Sequence, residues 1–410
     1  MKRTVAGLAA VLVIGALLAG CGGAPTPAPS PSPSVTPSGD GVLRIGTLFP
    51  SSGGVAFIGP SQVAGVNAAV RAINAAGGVG GHPVEVISRD SGDASSQQAE
   101  AAFAELVAAG VDVVIGPSSS VLAQRLLPAA EEARVPLVSP AAASPVVSSA
   151  DTSGWFFRTI ASYDHQAGPL AELLSAKVSS IALVSGGDPV TDSLRTPLTA
   201  QLKKAKIAIT ARDDLGTPVA DIVAKVVAAK PGGVVLATPD NGATTLALIS
   251  ALSAAGYGGG KLWFTSLDTA DYSQALPAGL LSGATGLLSG ATPAAGFAAV
   301  VRQEDPGVHD LSYAAEAFDA VTLAALAAEA AGDDGGATIA AGLGAASTSG
   351  VLCTSYGECR AALEAGQDIA YDGVSGPVDL DAAGDPTRGS FSVQRYDGAN
   401  RLSFVKSLSG

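Results

Sequence analysis

Three consecutive serines in the first half of the chain have the chemistry to bind an anion. The run Pro117-Ser-Ser-Ser120 follows the apolar segment 111–115 and precedes an amphipathic stretch, so we place it between a strand and a helix. Hydroxyl groups and the free backbone N–H groups at a helix start can donate to a carboxylate or phosphate. Ser118 or Ser119 could instead cap the helix, and capping would not exclude a ligand role.

A cysteine near the start of the chain indicates a different chemistry. Cys21 ends the motif Leu18-Ala-Gly-Cys21, which follows two basic residues and the apolar stretch 5–19. That stretch of about fifteen residues is shorter than the roughly twenty that a membrane-spanning helix needs, and it has the size of a signal-peptide core. The motif is typical of a bacterial lipobox, in which the thiol accepts diacylglycerol before cleavage. We therefore expect residues 1–20 to be a lipoprotein signal peptide and Cys21 to be lipidated. An uncleaved anchor helix with an incidental cysteine is the alternative.

Residues 21–40 are expected to tether the protein to the extracytoplasmic face of the cell membrane. Residues 24–40 carry six prolines among Ser, Thr and Ala. This composition favours extended conformations and cannot bury a core. A glycosylated stalk is the alternative interpretation.

The two remaining cysteines, Cys353 and Cys359, form an even pair in a chain that we expect outside the reducing cytoplasm. We predict a disulfide between them, and two free thiols are the alternative. A zinc site is not expected, because structural zinc usually needs four ligands and no His or Cys cluster lies nearby.

Composition and motifs narrow the classes of function. The formal net charge of −13 argues against nucleic-acid binding, which requires basic patches. The three histidines, His82, His165 and His309, are scattered, and neither an H-E-x-x-H, a G-x-S-x-G nor a P-loop pattern occurs. We therefore expect no enzyme activity, no bound metal and no cofactor.

Short apolar strands alternate with amphipathic helices from residue 42 onward. Strands are predicted at 43–48, 84–87, 111–115, 136–139, 181–184, 207–210, 234–237 and 262–264. This alternation predicts mostly parallel sheets with helices on both faces, and its two consecutive series indicate two similar lobes. Toward the end we expect helices at 311–331 and 358–365 and an antiparallel pair at 391–396 and 402–405.

Five segments carry a likeness to a known family. They are Gly46-Thr-Leu-Phe-Pro-Ser-Ser-Gly-Gly54, Ala72-Ile-Asn-Ala-Ala-Gly-Gly78, Val113-Val-Ile-Gly-Pro-Ser-Ser-Ser120, Val135-Pro-Leu-Val-Ser-Pro-Ala-Ala142, and Tyr371-Asp-Gly-Val-Ser-Gly-Pro-Val-Asp-Leu380 with Gly384-Asp385. In this order they resemble the leucine/isoleucine/valine-binding proteins, which are type I periplasmic binding proteins of ABC transporters. The likeness extends over nearly the whole body of the chain.

The resemblance implies an α/β clamshell of two doubly wound parallel-sheet lobes joined by a three-strand hinge. Lobe 1 would comprise residues 41–160 and 290–375, and lobe 2 would comprise residues 161–289 and 376–410. It further implies a monomer that captures a small polar ligand, an amino acid or a related amide or carboxylate, and delivers it to ABC permease subunits. A surface lipoprotein that presents its solute to a signalling receptor is the alternative.

The resemblance also implies ligand contacts in lobe 1. In the family a serine of the loop after the third strand binds the ligand's α-carboxylate, and that position falls on Ser120, beside Ser119. Backbone groups of the next loop clasp the carboxylate and ammonium, and Ala141 matches this loop directly. Ala143 stands where branched-chain amino-acid binders have threonine, so one hydroxyl partner is missing. An unmet ammonium hydrogen bond costs about 1–3 kcal/mol, which argues against a plain leucine, isoleucine or valine ligand.

In lobe 2, amino-acid binders of this family supply a carboxylate to the ammonium. Asp268 lies at or one position beyond that acidic residue, and Asp240 is its rival, although the neighbours of Asp240 also form a strong turn sequence. Tyr163 begins the second lobe at a crossover and is a further candidate, with a surface or hinge position as the alternative. Phe57 or Ile58 would supply an apolar wall, unless it packs in the core.

Overall fold

A computed structural model of the protein describes residues 36–53, 55–148, 150, 152–238 and 242–410. The predictions for the signal peptide, for Cys21 and for Asp240 lie outside these ranges. Within them, no helix combines the length and the apolar character that crossing a bilayer requires.

Two large sheets organise the described residues. The strands are β1 (Arg44–Phe49), β2 (Glu85–Asp90), β3 (Val113–Ile115), β4 (Leu137–Ser139), β5 (Phe156–Arg158), β6 (Ser180–Ser185), β7 (Ala208–Asp214), β8 (Gly233–Ala237), β9 (Leu262–Phe264), β10 (Thr285–Ser289), β11 (Val351–Cys353), β12 (Ile369–Gly373), β13 (Gly376–Pro377), β14 (Ser390–Tyr396) and β15 (Leu402–Ser409). The first sheet has the order β2-β1-β3-β4-β5 and is entirely parallel. The second has the order β15-β14-β10-β9-β8-β6-β7, with β14 and β15 antiparallel to their neighbours.

Helices cover both sheets. They are α1 (Gly59–Ala75), α2 (Gln98–Ala108), α3 (Ser120–Ala133), α4 (Pro145–Ser148), α5 (Ala167–Ser175), α6 (Pro189–Ser193), α7 (Arg195–Lys204), α8 (Val219–Ala229), α9 (Ala243–Leu252), α10 (Ala295–Glu304), α11 (Ala314–Ala331), α12 (Gly336–Thr348) and α13 (Tyr356–Glu364). Central strands such as β3 and β8 are buried along their whole length, as expected for parallel strands with helices on both faces. The predicted α/β fold with two parallel-sheet lobes is confirmed.

The first lobe is built around α11. This helix is rich in alanine and is buried around nearly its whole circumference, between α1, α12 and the first sheet. The contact with α1 depends on a glycine, because a Cβ on Gly65 would lie only 2.2 Å from the carbonyl oxygen of Ala314. Small side chains therefore allow the two helix backbones to approach closely.

A small third sheet, β11-β12-β13, and helix α12 were not predicted from the sequence. The sheet lies beside α12 and α13, and the predicted disulfide between Cys353 of β11 and Cys359 of α13 joins it to that helix, with an S–S distance of 2.02 Å. Both cysteines are buried in the core of the first lobe.

The chain passes between the two large sheets three times. It leaves the first sheet after β5 and enters the second lobe at a 3-10 turn, Tyr163–Gln166. It returns after β10 to reach α10, which packs against α1. It crosses for the last time just before β14, because Val378 and Leu380 still belong to the core of the first lobe. We call these connections the first, second and third crossovers.

The described residues just before β1 are attached to the first lobe. The backbone N–H of Gly39 donates to Asp333 Oδ1 at 2.8 Å, and that of Gly41 donates to Asp334 Oδ1 at 3.1 Å. Both aspartates follow the C-terminal end of α11, so the end of the predicted tether is held there.

Candidate functional site

The loops that follow β3, β4 and β5 lie side by side at one edge of the first lobe. These strands are parallel neighbours in the sheet, and their carboxyl ends therefore meet. Loops at this edge of a parallel sheet are the usual ligand-binding position in open α/β folds. The predicted residues Ser119, Ala141 and Ala143 belong to these loops, and Ser120 is the first residue of α3, directly after the first of them.

Each hydroxyl group of the serine run takes part in a hydrogen bond within the protein. Ser118 Oγ donates to Gln62 Oε1 at 2.8 Å, and Ser119 caps α3 by accepting from Leu122 N at 3.4 Å. Ser120 Oγ accepts from Ser144 N at 3.1 Å. A hydroxyl group that accepts can still donate its own hydrogen, so Ser120 can donate to a ligand.

The turn into this run requires a glycine. Gly116 has a φ of +121°, and a Cβ there would lie 2.4 Å from the carbonyl oxygen of Leu48. Any other residue would collide with the neighbouring strand β1.

The loop after β4 uses many of its polar groups internally. Ser139 Oγ donates to Pro117 O at 2.6 Å and accepts from Ala142 N at 2.9 Å and from Ala141 N at 3.3 Å. The carbonyl of Ala143 accepts from Tyr163 N at 2.8 Å. This loop therefore connects the serine run on one side to the first crossover on the other.

A buried ion pair also holds this loop in place. Arg158 is fully buried, and its Nε and Nη2 donate to the two carboxylate oxygens of Asp385 at 2.7 and 2.8 Å. Its Nη1 donates to Ala142 O at 2.9 Å and to Ser144 O at 3.1 Å, and Nη2 also contacts Ser148 Oγ. Sequence reasoning missed this pair. The signal was an arginine at the end of the apolar strand Phe156–Arg158, since a buried cation needs a carboxylate.

In the second lobe, Asp268 joins the ends of two strands. Its Oδ2 accepts from both the N–H and the hydroxyl of Thr238 at 3.1 Å, and its Oδ1 accepts from Thr265 Oγ1 at 3.1 Å. The side chain is fully buried, and burial raises its pKa well above the usual range, against the effect of these hydrogen bonds. In this conformation both oxygens of Asp268 are directed at threonines, and a contact with ligand stays a prediction.

The first crossover brings polar groups close to the second lobe. Gln166 is fully buried and makes two hydrogen bonds with Ser266. Gln166 Nε2 donates to Ser266 Oγ, and the backbone N–H of Ser266 donates to Gln166 Oε1, each at 2.9 Å. Tyr163 is half-buried. Ser162 Oγ and Asp164 Oδ1 are buried without a hydrogen-bond partner among the described residues. Sequence reasoning did not single out Gln166 or Ser162, because neither stands in a recognisable motif.

Three apolar residues of the first lobe are at least partly exposed. Phe57 is 66% exposed, so it does not pack in the core, and Ile58 beside it is half-buried. Val121, next to Ser120, is 48% exposed. An apolar wall from Phe57 stays a prediction.

A cavity of about 460 Å³ is bounded by both lobes and by the second crossover. Its walls are residues 288–293, residues 309–313 before α11, and Ser392, Gln394 and Leu402 of the second lobe. The volume is within the usual range of small-molecule sites, about 300–1,000 Å³. Most of its polar lining consists of hydroxyl and amide groups. Among the described residues, no group of three or more His, Cys, Asp or Glu side chains is placed to hold a metal ion.

Comparisons with known proteins agree on one family. Residues 42–400 match the sequence model described as periplasmic binding protein. The chain is 26% identical over 372 residues to a chemotactic signal transduction system substrate-binding protein, BasB, of Halobacterium salinarum, with 87% of each chain covered. It is 30% identical over 196 residues to a leucine-, isoleucine-, valine-, threonine- and alanine-binding protein of Pseudomonas aeruginosa, covering 47% of this chain and 52% of that protein. The structure of an ABC transporter substrate-binding protein from Desulfitobacterium hafniense in complex with Leu is similar in fold, with a TM-score of 0.68 and 22% identity. That alignment covers 89% of this chain and all of that one.

Proposed function

The chain is a member of the periplasmic binding protein family, and from this premise we propose that it captures a small polar solute between its lobes and delivers it to an ABC permease. One observation carries the proposal. Three loops rich in hydroxyl groups meet at the carboxyl edge of the first sheet, which is the usual docking position for a ligand in an open α/β fold. We further propose that the protein works as a monomer, without catalysis and without a cofactor.

We propose that the ligand carries a carboxylate and is an amino acid or a related amide or acid. Ser120 would donate to the carboxylate, and the loop of Ala141 and Ala143 would complete its contacts in the first lobe. The ammonium partner would come from the second lobe, from Asp268 or Asp240. The names of the Pseudomonas relative and of the Desulfitobacterium complex support an amino-acid-like ligand. The absence of a hydroxyl at Ala143 supports a ligand other than leucine, isoleucine or valine.

The mechanism that we propose is hinge closure. The ligand first docks on the first lobe, and groups of the second lobe then close over it. A ligand that contacts both lobes only when they are closed shifts the population toward the closed form. The permease would recognise this closed form.

We propose that Cys21 is lipidated and holds the protein on the extracytoplasmic face of the membrane. Replacing Cys21→Ser should release the protein from the membrane fraction into the soluble fraction, as followed by fractionation and immunoblotting. Fatty-acid labelling of the wild type, but not of the variant, is the second measurement. A wild-type protein that takes up no fatty acid would contradict the proposal.

The ligand can be identified by a thermal-shift screen of the purified protein against amino acids, amides and small carboxylates. A ligand that binds only the native state stabilises it by about 2.7 kcal/mol at a hundredfold excess over its Kd. We expect a selective rise of Tm with one chemical class. If no member of a broad panel raises Tm, the proposal of a small amino-acid-like solute fails.

The site can then be tested by comparing two neighbouring serines. Ser120→Ala removes a hydroxyl that would donate to a charged carboxylate, so the affinity should fall by at least about tenfold, since such bonds contribute about 1.5–3 kcal/mol. Ser118→Ala is the matched control, because that hydroxyl already donates to Gln62. Isothermal titration with the ligand found in the screen gives both values. Wild-type affinity in Ser120→Ala would remove this residue from the site.

A second candidate function is solute sensing. The Halobacterium relative, named for chemotactic signal transduction, matches 87% of this chain. We would measure uptake of labelled ligand in cells with and without the gene. Loss of uptake supports import, and unchanged uptake with loss of a ligand-induced behavioural or transcriptional response supports sensing.

A further inference from the structure

Two acidic residues, one turn apart near the start of α11, bind the first two crossovers and the turn between β12 and β13 that precedes the third. Glu316 contacts the first two. Thr159 Oγ1, in the first crossover, donates to the carbonyl oxygen of Glu316 at 2.7 Å. Ala291 N, in the second crossover, donates to Glu316 Oε1 at 2.6 Å. A single residue of the first lobe thereby holds two interlobe connections.

Asp319 contacts the approach to the third crossover. Its Oδ2 accepts from the N–H and the hydroxyl of Ser375, at 2.7 and 2.5 Å. Its Oδ1 accepts from Tyr371 Oη at 2.7 Å and from Val374 N at 3.0 Å. Ser375 in turn accepts through its carbonyl from Ser390 Oγ at 2.7 Å, and Ser390 is the first residue of β14 in the second lobe.

The two carboxyl groups differ in how well their surroundings satisfy them. Both oxygens of Asp319 are hydrogen-bonded, whereas Glu316 Oε2 is buried without a partner among the described residues. Glu316 is only 1% exposed. Its Oε1 lies so close to Gly290 that a Cβ there would be only 2.9 Å from it. Burial, with a smaller contribution from the charge of Asp319, raises the pKa of Glu316 to about 8. Burial raises the pKa of Asp319 to about 6, against the hydrogen bonds from Ser375 and Tyr371.

Among the described residues, the charged group that acts on the pKa of Glu316 is Asp319. Asp319 is the titratable group that faces it on α11, and Tyr371 of β12 reaches Asp319 rather than Glu316. The residues that pack against Glu316 from the crossovers, such as Thr159 and Ala291, do not titrate. Arg158, next to Thr159, forms its ion pair with Asp385, at 2.7 Å.

We propose that Glu316 is a positioning residue of the interlobe hinge, whose neutral carboxyl group fixes the second crossover against α11 and whose ionisation loosens that connection. The inference rests on the proposed closure of the lobes. The physical reason is that a neutral carboxyl group can remain in a dry pocket, whereas an ionised group with one free oxygen gains strongly from contact with water. Water reaches it most directly when the second crossover moves away from α11 and the lobes separate.

The experiment measures the separation of the lobes without any ligand. Spin labels are placed on introduced cysteines at two exposed helix positions, Ala104→Cys on α2 and Ala224→Cys on α8, in full-length protein carrying Cys21→Ser. Pulsed EPR gives the distance distribution at about pH 7 and about pH 9.5, a window in which Glu316 titrates and Asp319 is already ionised. The test variant is Glu316→Gln, which keeps the acceptor oxygen but cannot ionise.

Asp112→Asn is the matched control. Burial raises the pKa of Asp112 to about 7, but this carboxylate lies at the amino end of β3 and accepts from Arg44 N, far from the crossovers. We expect the wild type and Asp112→Asn to shift toward longer interlobe distances at high pH. For Glu316→Gln we expect the same distance distribution at both pH values. An unchanged wild-type distribution, or a pH shift that persists in Glu316→Gln, would overturn the proposal. Because no ligand is used, a failed ligand screen would not affect this result.

Discussion

Replacing Asp385→Asn tests whether the buried ion pair holds the first lobe together. The change keeps the shape of the side chain but removes the charge that faces the fully buried guanidinium of Arg158. Removing one partner of a buried pair costs about 3–5 kcal/mol, because the remaining charge is left uncompensated. Asparagine retains one acceptor oxygen, and Arg158 keeps its bonds to Ala142 O and Ser144 O. We therefore expect the lower end of this range, a loss of about 3 kcal/mol in the free energy of unfolding.

The assay is urea denaturation followed by tryptophan fluorescence. The chain has two tryptophans: Trp155 packs against the core of the first lobe, and Trp263 lies in the core of the second. A Trp263→Phe background therefore reports on the first lobe alone. The control is Asp379→Asn, whose partner Arg388 is 56% exposed, and such surface pairs contribute about 0–1 kcal/mol. If Asp385→Asn loses no more stability than Asp379→Asn, the buried pair does not hold the first lobe together.

Three further predictions concern stability. Replacing Cys353 and Cys359 together by serine should cost about 2 kcal/mol, because a loop of this length gains little entropy when it is opened, and the change in Tm should equal that produced by a reductant. Gly116→Ala should cost at least about 1 kcal/mol, since φ is +121° and the new Cβ meets Leu48 O, whereas Gly110→Ala, with positive φ but free space, should cost less by the same denaturation assay. The pKa of Glu316 in the folded protein is raised to about 8, so above about pH 4.5 the folded protein keeps a proton that the unfolded chain releases. The free energy of unfolding should therefore fall as pH rises from about 4.5 to about 8 and then level off. An equally steep fall in a Glu316→Gln variant would contradict this.

The sequence predicts the fold well where apolar strands are continuous. The strands at β3, β4, β8 and β9 were predicted within two residues of their bounds, because a run such as 234–237 is apolar on both faces. Helix α12 was missed because its Gly- and Ala-rich sequence has no clear apolar face. Strand β5 was missed because its last residue is an arginine. That residue is buried only because of a carboxylate 227 positions away, which no local pattern reveals.

The same distinction applies to the candidate site. The place of the serine run between a strand and a helix was predicted because a polar cluster directly follows a buried strand, and neighbouring parallel strands bring such clusters together. Its contact with a ligand stays a prediction. The contacts of Glu316 and Asp319 could not be predicted, because they depend on where three separate segments of the chain pass over one helix. In the sequence they are two acids in an alanine-rich helix, a pattern typical of a solvated helix face.

Helix α11 has one end at the hinge and the other at the attachment of the N-terminal segment. Its 18 residues span about 27 Å, from the turn that carries Glu316 to the aspartates that bind the backbone of Gly39 and Gly41. If the chain is anchored through Cys21 as proposed, any pull from the membrane enters the first lobe at the end of α11 remote from the crossovers. The first lobe would then be the stationary half and the second lobe the moving half. Closure of the second lobe on a solute would then leave the attachment of the tether unchanged, so membrane attachment and ligand binding would be mechanically independent.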